Sequence, residues 1–320
     1  MPLSNIDSVV SQKHTVADVA KVAIWEFLQK MNVTPLRYTR DLELEARVKA
    51  ITCTWPFEQH IRRHIVTGLV ITETSYTHVS DIEARVAITL YTAILTSLDT
   101  PGLFDSVGAG DLWRKICDGS LRHDHGMLGQ FAKIILDMDR FYSSFNASSI
   151  LSSTLRFLNG EMISNEESKE FIEPSLKEFV DFSRNIGGDA EAYAAFIWSK
   201  ADFPDENSYI QVFPDVCDYI NHANDILSFY KEESDGEVAS YIHARARVTG
   251  KSPLVTLHEV IDEVVASTER IRRTLGNSRA REAWDSFERG YISFHVGDPR
   301  YRLQDIFGVH WEYMMDASVF

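Results

Sequence analysis

The chain has 320 residues, 44% hydrophobic and 25% charged, with a mean hydropathy of -0.17, the composition of an ordinary globular protein and neither a disordered nor a membrane-embedded one. Lys and Arg number 32 against 47 Asp and Glu, a net charge of -15 spread along the chain, which argues against a nucleic-acid partner. An anionic ligand would therefore need a local cationic site or metal ions to overcome the overall field.

No run approaches the roughly 20 apolar residues of a membrane span. Cys53, Cys117 and Cys217 are too few and too scattered for a disulfide framework or a Cys-based zinc site, and suit a reducing compartment. Met1 to Ser11 lack a basic segment followed by an apolar one, and Pro2 excludes the Met-Gly acylation signal, so a cytoplasmic protein is expected.

Sixteen glycines and nine prolines are few for this length, and apolar residues recur at helical spacing, so the fold class expected is all-α. Over residues 16–31, Val16, Val19, Ala20, Ala23, Phe27 and Met31 form one stripe, with Thr15 and Asp18 spaced as a capping pair. A second helix should start near Asp41. The apolar stretch 81–98 is read as opening at Ser80, with Glu83 three residues later, and as stopped by Asp99-Thr100-Pro101-Gly102. Further periodic segments cover about 128–158, 167–185, 189–200, 206–233, 253–275 and 279–295, long enough to pack as a bundle. No strand pattern, repeat period or polar linker interrupts them, so residues 1–320 are expected to form one helical domain. The acidic stretch 232–240, with Gly236, reads as an exposed loop that could serve as a lid.

The stretch Asn224-Asp225-Ile226-Leu227-Ser228-Phe229-Tyr230-Lys231-Glu232 carries the chemistry. Asn224, Ser228 and Glu232 are at i, i+4 and i+8, so they share one helix face, and all three end in oxygen. Magnesium is a hard cation that takes a few protein oxygens and completes its shell with water and substrate phosphate. Lys231 returns to within about 20° of Asn224 on the helical wheel, where its ammonium can reach a phosphate beside the metal. A solvated polar face is the bland alternative, but Leu227, Phe229 and Tyr230 do not suit one.

This stretch resembles the second metal-binding motif of class I terpene cyclases. It is most similar to the fungal trichodiene synthase family, whose Asn-Asp-Leu-Met-Ser-Phe-Tyr-Lys-Glu it matches at seven of nine positions. Asp298-Pro299-Arg300-Tyr301-Arg302-Leu303 resembles that family's Asp-Arg-Arg-Tyr-Arg-Leu. Ser153-Thr154-Leu155-Arg156-Phe157 resembles Ser-Thr-Leu-Asp-Phe, and Phe196-Ile197-Trp198 falls at its Ser-Leu-Trp. The resemblance runs through about residues 60–310. It implies a helical bundle around an apolar cavity, with magnesium ions, three of them, holding a prenyl diphosphate at its mouth, and relatives that are often homodimers. Arg300 and Tyr301 match the family's Arg and Tyr that hydrogen-bond diphosphate.

Two departures stand out. The family's aspartate-rich first metal motif, Asp-Asp-Ser-Lys-Asp, aligns with Asp99-Thr100-Pro101-Gly102-Leu103, where only Asp99 survives. Asp99 is expected to bridge metal opposite Asn224, Ser228 and Glu232, or else to be a turn residue before Pro101; Asp105 lies beyond the break. The family arginine that contacts diphosphate from another helix aligns with Ser152, and Arg156, one turn on, is expected to reach the same space.

The intermediate of such a reaction is a carbocation that water would quench, so a dry pocket with ring faces is required, and Phe57, Tyr76, Tyr91, Phe157, Trp198 and Phe294 are candidates. Asp137-Met138-Asp139-Arg140 misses the acid motif of proton-initiated cyclases. His60 and His64 lack a third ligand, and no nucleophile elbow, phosphate loop or dinucleotide fingerprint is present. The reaction expected is magnesium-dependent ionisation of a prenyl diphosphate, most simply farnesyl diphosphate, and cyclisation to a sesquiterpene. The alternative is a non-catalytic protein of the same fold that binds an isoprenoid or a protein partner.

Overall fold

A computed structural model describes residues 16–121, 126–164 and 175–308. The helices are α1 (Val16–Met31), α2 (Leu42–Thr52), α3 (Glu58–Ser75), α4 (Ile82–Leu98), α5 (Leu103–Val107), α6 (Leu112–Cys117), α7 (Gly126–Leu136) and α8 (Ser144–Ser164). They continue as α9 (Lys177–Gly187), α10 (Ala190–Ala195), α11 (Phe213–Asp235), α12 (Tyr241–Thr249), α13 (Pro253–Leu275), α14 (Arg279–Gly297) and α15 (Gln304–Phe307). Among the described residues there is no strand, and no helix is long and apolar enough to cross a membrane.

Local chemistry sets the boundaries. The Asp41 side chain caps α2, accepting from the amides of Glu43 and Leu44. Ser252 and Ser278 do the same for α13 and α14, and Pro253 occupies the first turn of α13, where its missing N–H costs nothing. Helix α4 is capped by Asp81, which accepts from the Glu83 amide. Ser80, expected as the cap, instead bonds Asp202 through both its amide and its hydroxyl. Helix α11 persists to Asp235 and ends at Gly236, whose φ of 71° suits a residue without Cβ, so the exposed loop begins four residues later than expected.

Three expected segments are shorter in the fold. The stretch 128–158 breaks between α7 and α8 at a 3-10 turn over Asp137–Arg140; helix α10 closes at Ala195, and two 3-10 turns precede α11. A buried aromatic residue, Tyr142, Phe196 or Tyr209, stands at each break, a tertiary placement that periodicity does not encode. Thr15 and residues 167–174 lie outside the described residues.

Six elements form a ring in which neighbours pack in the order α4, α3, α14, α11, α10, α8, with α7 bridging α8 back to α4. Helix α4 is apolar nearly all round and central, whereas α13 buries one stripe, Leu257, Val260, Ile261, Val264 and Ile271, against α11. Trp198 and Trp284 are fully enclosed, and each such side chain contributes roughly 2–3 kcal/mol of transfer free energy.

Helix α3 approaches its two partners closely enough to need glycine. A Cβ on Gly68 would overlap the Thr89 carbonyl of α4, and one on Gly290 of α14 would overlap the Thr74 carbonyl of α3. Because the obstruction is backbone, Gly290→Ala should force the helices apart and cost about 2–3 kcal/mol despite alanine's better helix propensity. Urea unfolding checks this, and an unchanged midpoint would contradict it.

Candidate active site

The helical ring encloses a cavity of about 170 Å³. Its walls are mixed: Ile71, Leu95, Phe157, Ile220, Tyr291 and Phe294 give apolar and aromatic surface from α3, α4, α8, α11 and α14, and Thr67, Thr92, Thr96, Asp189, Tyr193 and His295 add polar groups. One end is polar, and there Asp99, Asn224, Arg184, Arg300 and Tyr301 converge. Four of those five residues are the ones singled out from sequence.

Asp99 is the residue that ends α4. Its outer side is open to solvent while protein crowds its flanks. That crowding pushes its carboxyl up to about 6, against the opposing pull of the Arg300 charge. Asp105, on α5, is exposed and does not line the cavity.

On α11, Asn224, Ser228 and Glu232 follow one another along one face; Asn224 lines the cavity, and Ser228, Glu232 and Lys231 do not. Ser228 Oγ donates to Glu232 Oε1 at 2.5 Å, and burial raises the Glu232 carboxyl above its ordinary range. Asn224 sits at the cavity end of this row, with Nδ2 3.0 Å from His295 Nε2 and 3.4 Å from the Tyr301 hydroxyl. Lys231 is drawn toward the following loop by Glu237, 3.0 Å away.

The Asp298–Leu303 block owes its shape to its own residues. Asp298 accepts from the Arg300 amide, Pro299 opens a 3-10 turn, and Arg302 takes a left-handed conformation with φ 56°. Arg302 then reaches Asp235 in the last turn of α11, 2.7 Å away, so the turn carrying Arg300 and Tyr301 is tied to the helix that carries Asn224, Ser228 and Glu232. Burial drives the Tyr301 phenol up to about 12, so it remains a hydrogen-bond donor at neutral pH.

Arg156 is placed differently from the expectation. It pairs with Glu191 on α10 and does not line the cavity, because its position on α8 faces the α10 flank. The guanidinium that does enter is Arg184, near the end of α9, which sequence reasoning missed. Its Nε lies 2.7 Å from Asp225 Oδ1, and its Nη2 lies 2.7 Å from the Asn221 carbonyl and 3.4 Å from Asn224 Oδ1. The signal available was Gly187-Gly188 just after it, where a Cβ on Gly188 would overlap the Asn221 side chain, so the α9 end abuts α11 without a cushion. His295 was also missed. Of the six aromatic candidates, Phe157 and Phe294 line the cavity. Tyr76, Tyr91 and Trp198 are core residues with hydrogen bonds of their own, and Phe57 stacks on Trp55.

The donor set at the polar end is carboxylate, amide and hydroxyl oxygen, which suits a hard cation. Among the described residues, no group of three or more His, Cys, Asp or Glu side chains is placed to hold an ion. Such a thin oxygen set fits magnesium only where an anionic ligand completes the shell, and Arg184 and Arg300 supply the positive charge to hold that ligand.

The family described as trichodiene synthase matches residues 50–316 of the chain. Monoterpene synthase 25 of Postia placenta is 45% identical over 298 residues, covering 93% of this chain and 89% of its own. The alpha-cuprenene synthase of Coprinopsis cinerea is 31% identical over 297 residues, covering 91% and 90%. Among solved structures, the linalool/nerolidol synthase of Streptomyces clavuligerus in complex with 2-fluorogeranyl diphosphate superposes with a TM-score of 0.60 at 17% identity, covering 82% of this chain and 97% of that one. That likeness is one of fold.

Asp189, which also lines the cavity, is buried and accepts from the Tyr91 and Ser153 hydroxyls, both at 2.7 Å. Burial pushes its carboxyl from 3.8 up to about 7, in spite of those two bonds. Across that window the fold holds a proton that the unfolded chain has released, so this group's contribution to stability falls as pH rises. Tyr91→Phe removes a donor to the ionised form and should extend the decline above pH 7. The expected loss is about 1 kcal/mol near pH 6 and about 2–3 kcal/mol near pH 8.5, read from urea unfolding. Equal losses at the two pH values would contradict it.

Proposed function

Because the chain belongs to the trichodiene synthase family and is a class I terpene synthase, we propose that it binds farnesyl diphosphate with magnesium at the polar end of the cavity, ionises it and cyclises the resulting allylic cation to a sesquiterpene hydrocarbon or alcohol. The observation that carries the reading is the convergence of Asp99, Asn224, Arg184, Arg300 and Tyr301 on a cavity whose other lining residues include Ile71, Leu95, Phe157, Ile220 and Phe294.

Asn224, Ser228 and Glu232 on α11 and Asp99 opposite are the residues proposed to hold magnesium ions. Magnesium, when bound, would supply Lewis-acid neutralisation of diphosphate oxygens. Arg300 and Tyr301 are proposed as direct donors to the diphosphate, with the bidentate geometry of guanidinium suiting phosphate oxygens. Arg184 takes the place that the sequence offered to Arg156, since it lies at the cavity and Arg156 does not. Lys231 is proposed to approach the diphosphate by exchanging Glu237 for it. Arg184, Arg300 and Tyr301 would be worth most where negative charge develops on the leaving group, because they are already held at the site. Phe157, Tyr291 and Phe294 supply ring faces toward the positive charge and keep water from it.

A ten-carbon substrate is the second reading, favoured by the 45% identity to a protein named for monoterpenes. Incubation of the purified chain with geranyl and farnesyl diphosphate in turn, with products identified by gas chromatography and mass spectrometry, decides between them. Farnesyl diphosphate should give a cyclic product that disappears with EDTA and returns on adding excess Mg2+. Acyclic alcohols at the no-enzyme level from both substrates would reject the proposal. Glu232→Gln and Arg300→Met should each lower kcat/KM by about 100-fold or more with the helical circular-dichroism signal intact. Turnover at the wild-type level in Glu232→Gln would remove that residue from the ligand set.

A further inference from the structure

We infer that His295 is a positioning residue that pins the Asn224 carboxamide with its Oδ1, and not its Nδ2, presented to a metal ion; this rests on the ligand role proposed for Asn224 above. An amide is nearly symmetric in shape, and a half-turn about its last bond would offer the cation a donor in place of an acceptor. A metal-ligating Asn therefore needs something that distinguishes its two ends.

His295 stands in the last turn of α14, fully buried. Its Nδ1 lies 2.8 Å from the Tyr291 carbonyl oxygen, a group that can only accept, so Nδ1 carries the proton. In the neutral ring Nε2 is then a lone pair, and it faces Asn224 Nδ2 at 3.0 Å. The imidazole is held in this pose by ring contacts with Tyr301 at 4.4 Å and Tyr291 at 4.5 Å between centroids.

The opposite flank of the amide gives the same answer independently. Arg184 Nη2 is 3.4 Å from Asn224 Oδ1, and a guanidinium only donates. An acceptor on one side and an obligate donor on the other select one orientation. The flipped amide would set oxygen against the Nε2 lone pair and NH2 against the guanidinium. When a ligand draws Arg184 toward itself, the His295 contact remains to hold the end assignment.

Mn2+ binding to the full chain, followed by the free-ion electron paramagnetic resonance signal with and without inorganic pyrophosphate, tests the pin. His295→Met, which has no comparable acceptor, should weaken Mn2+ binding by about 10–100-fold. His295→Gln, whose amide oxygen can accept from Asn224, should stay within about threefold of wild type. In an Asn224→Asp background both ends are oxygen, so adding His295→Met should cost less than about threefold, and the two changes should couple in a double-mutant cycle. Wild-type affinity in His295→Met, or an undiminished loss in the Asn224→Asp background, would overturn the inference. Thermal melting followed by circular dichroism confirms that each variant is folded. Should His295→Met not fold, the ring tautomer read by 15N NMR of the wild-type chain decides the matter: protonation at Nδ1 upholds the pin and protonation at Nε2 overturns it. A wild-type chain that takes up no Mn2+ even with pyrophosphate fails the metal reading itself, and the tautomer then decides the pin alone.

Discussion

The ion pair of Arg184 with Asp225 is the interaction on which the arrangement of the cavity mouth depends. It joins the end of α9 to the middle of α11 at 2.7 Å, with both side chains largely enclosed. A buried pair of this kind gives little net stability over a well-packed apolar substitute, but removing one partner strands the other and costs roughly 3–5 kcal/mol. Its value here is geometric. The same guanidinium reaches the Asn221 carbonyl and Asn224 Oδ1, so a single planar fork sets the distance between the two helices and the aim of the Asn224 oxygen.

Much of the fold was legible because helical period is a local property. Helices α1, α13 and α14 lie within two residues of where apolar spacing put them, and Asn224, Ser228 and Glu232 could be placed on one face by counting along the chain. What was illegible is tertiary. Arg184 and Asp225 are 41 residues apart and Asn224 and His295 are 71, and no spacing rule connects them. Arg156 was a sound choice on helical geometry, one turn from the aligned position. Which of two nearby arginines enters the cavity is settled by the Glu191 that takes one and the Asp225 that takes the other. Ser80 was a reasonable cap until Asp202 claimed it from 122 residues away.

The electrostatics of the mouth differ from those of the molecule. A chain of net charge -15 repels anions at a distance, yet two guanidinium groups meet at the polar end. Opposite them, burial raises the Asp99 and Glu232 carboxyls, so each grips a proton more tightly than a free carboxylate does. A cation bound there must release whatever proton is held, which couples metal occupancy to acidity in the usual way for carboxylate ligands.

The contact of Gly290 on the Thr74 carbonyl limits how the molecule can breathe. Two backbones that meet without side chains between them have no compressible layer, and the α3–α14 side of the ring is a stiff seam. Dilation large enough to admit a long hydrocarbon must then come from elsewhere on the circumference. The exposed turn at 236–239 carries no such seam: it is held by the Lys231–Glu237 pair and the Glu237 amide on the Glu232 carbonyl, and a Cβ on Gly236 would meet nothing.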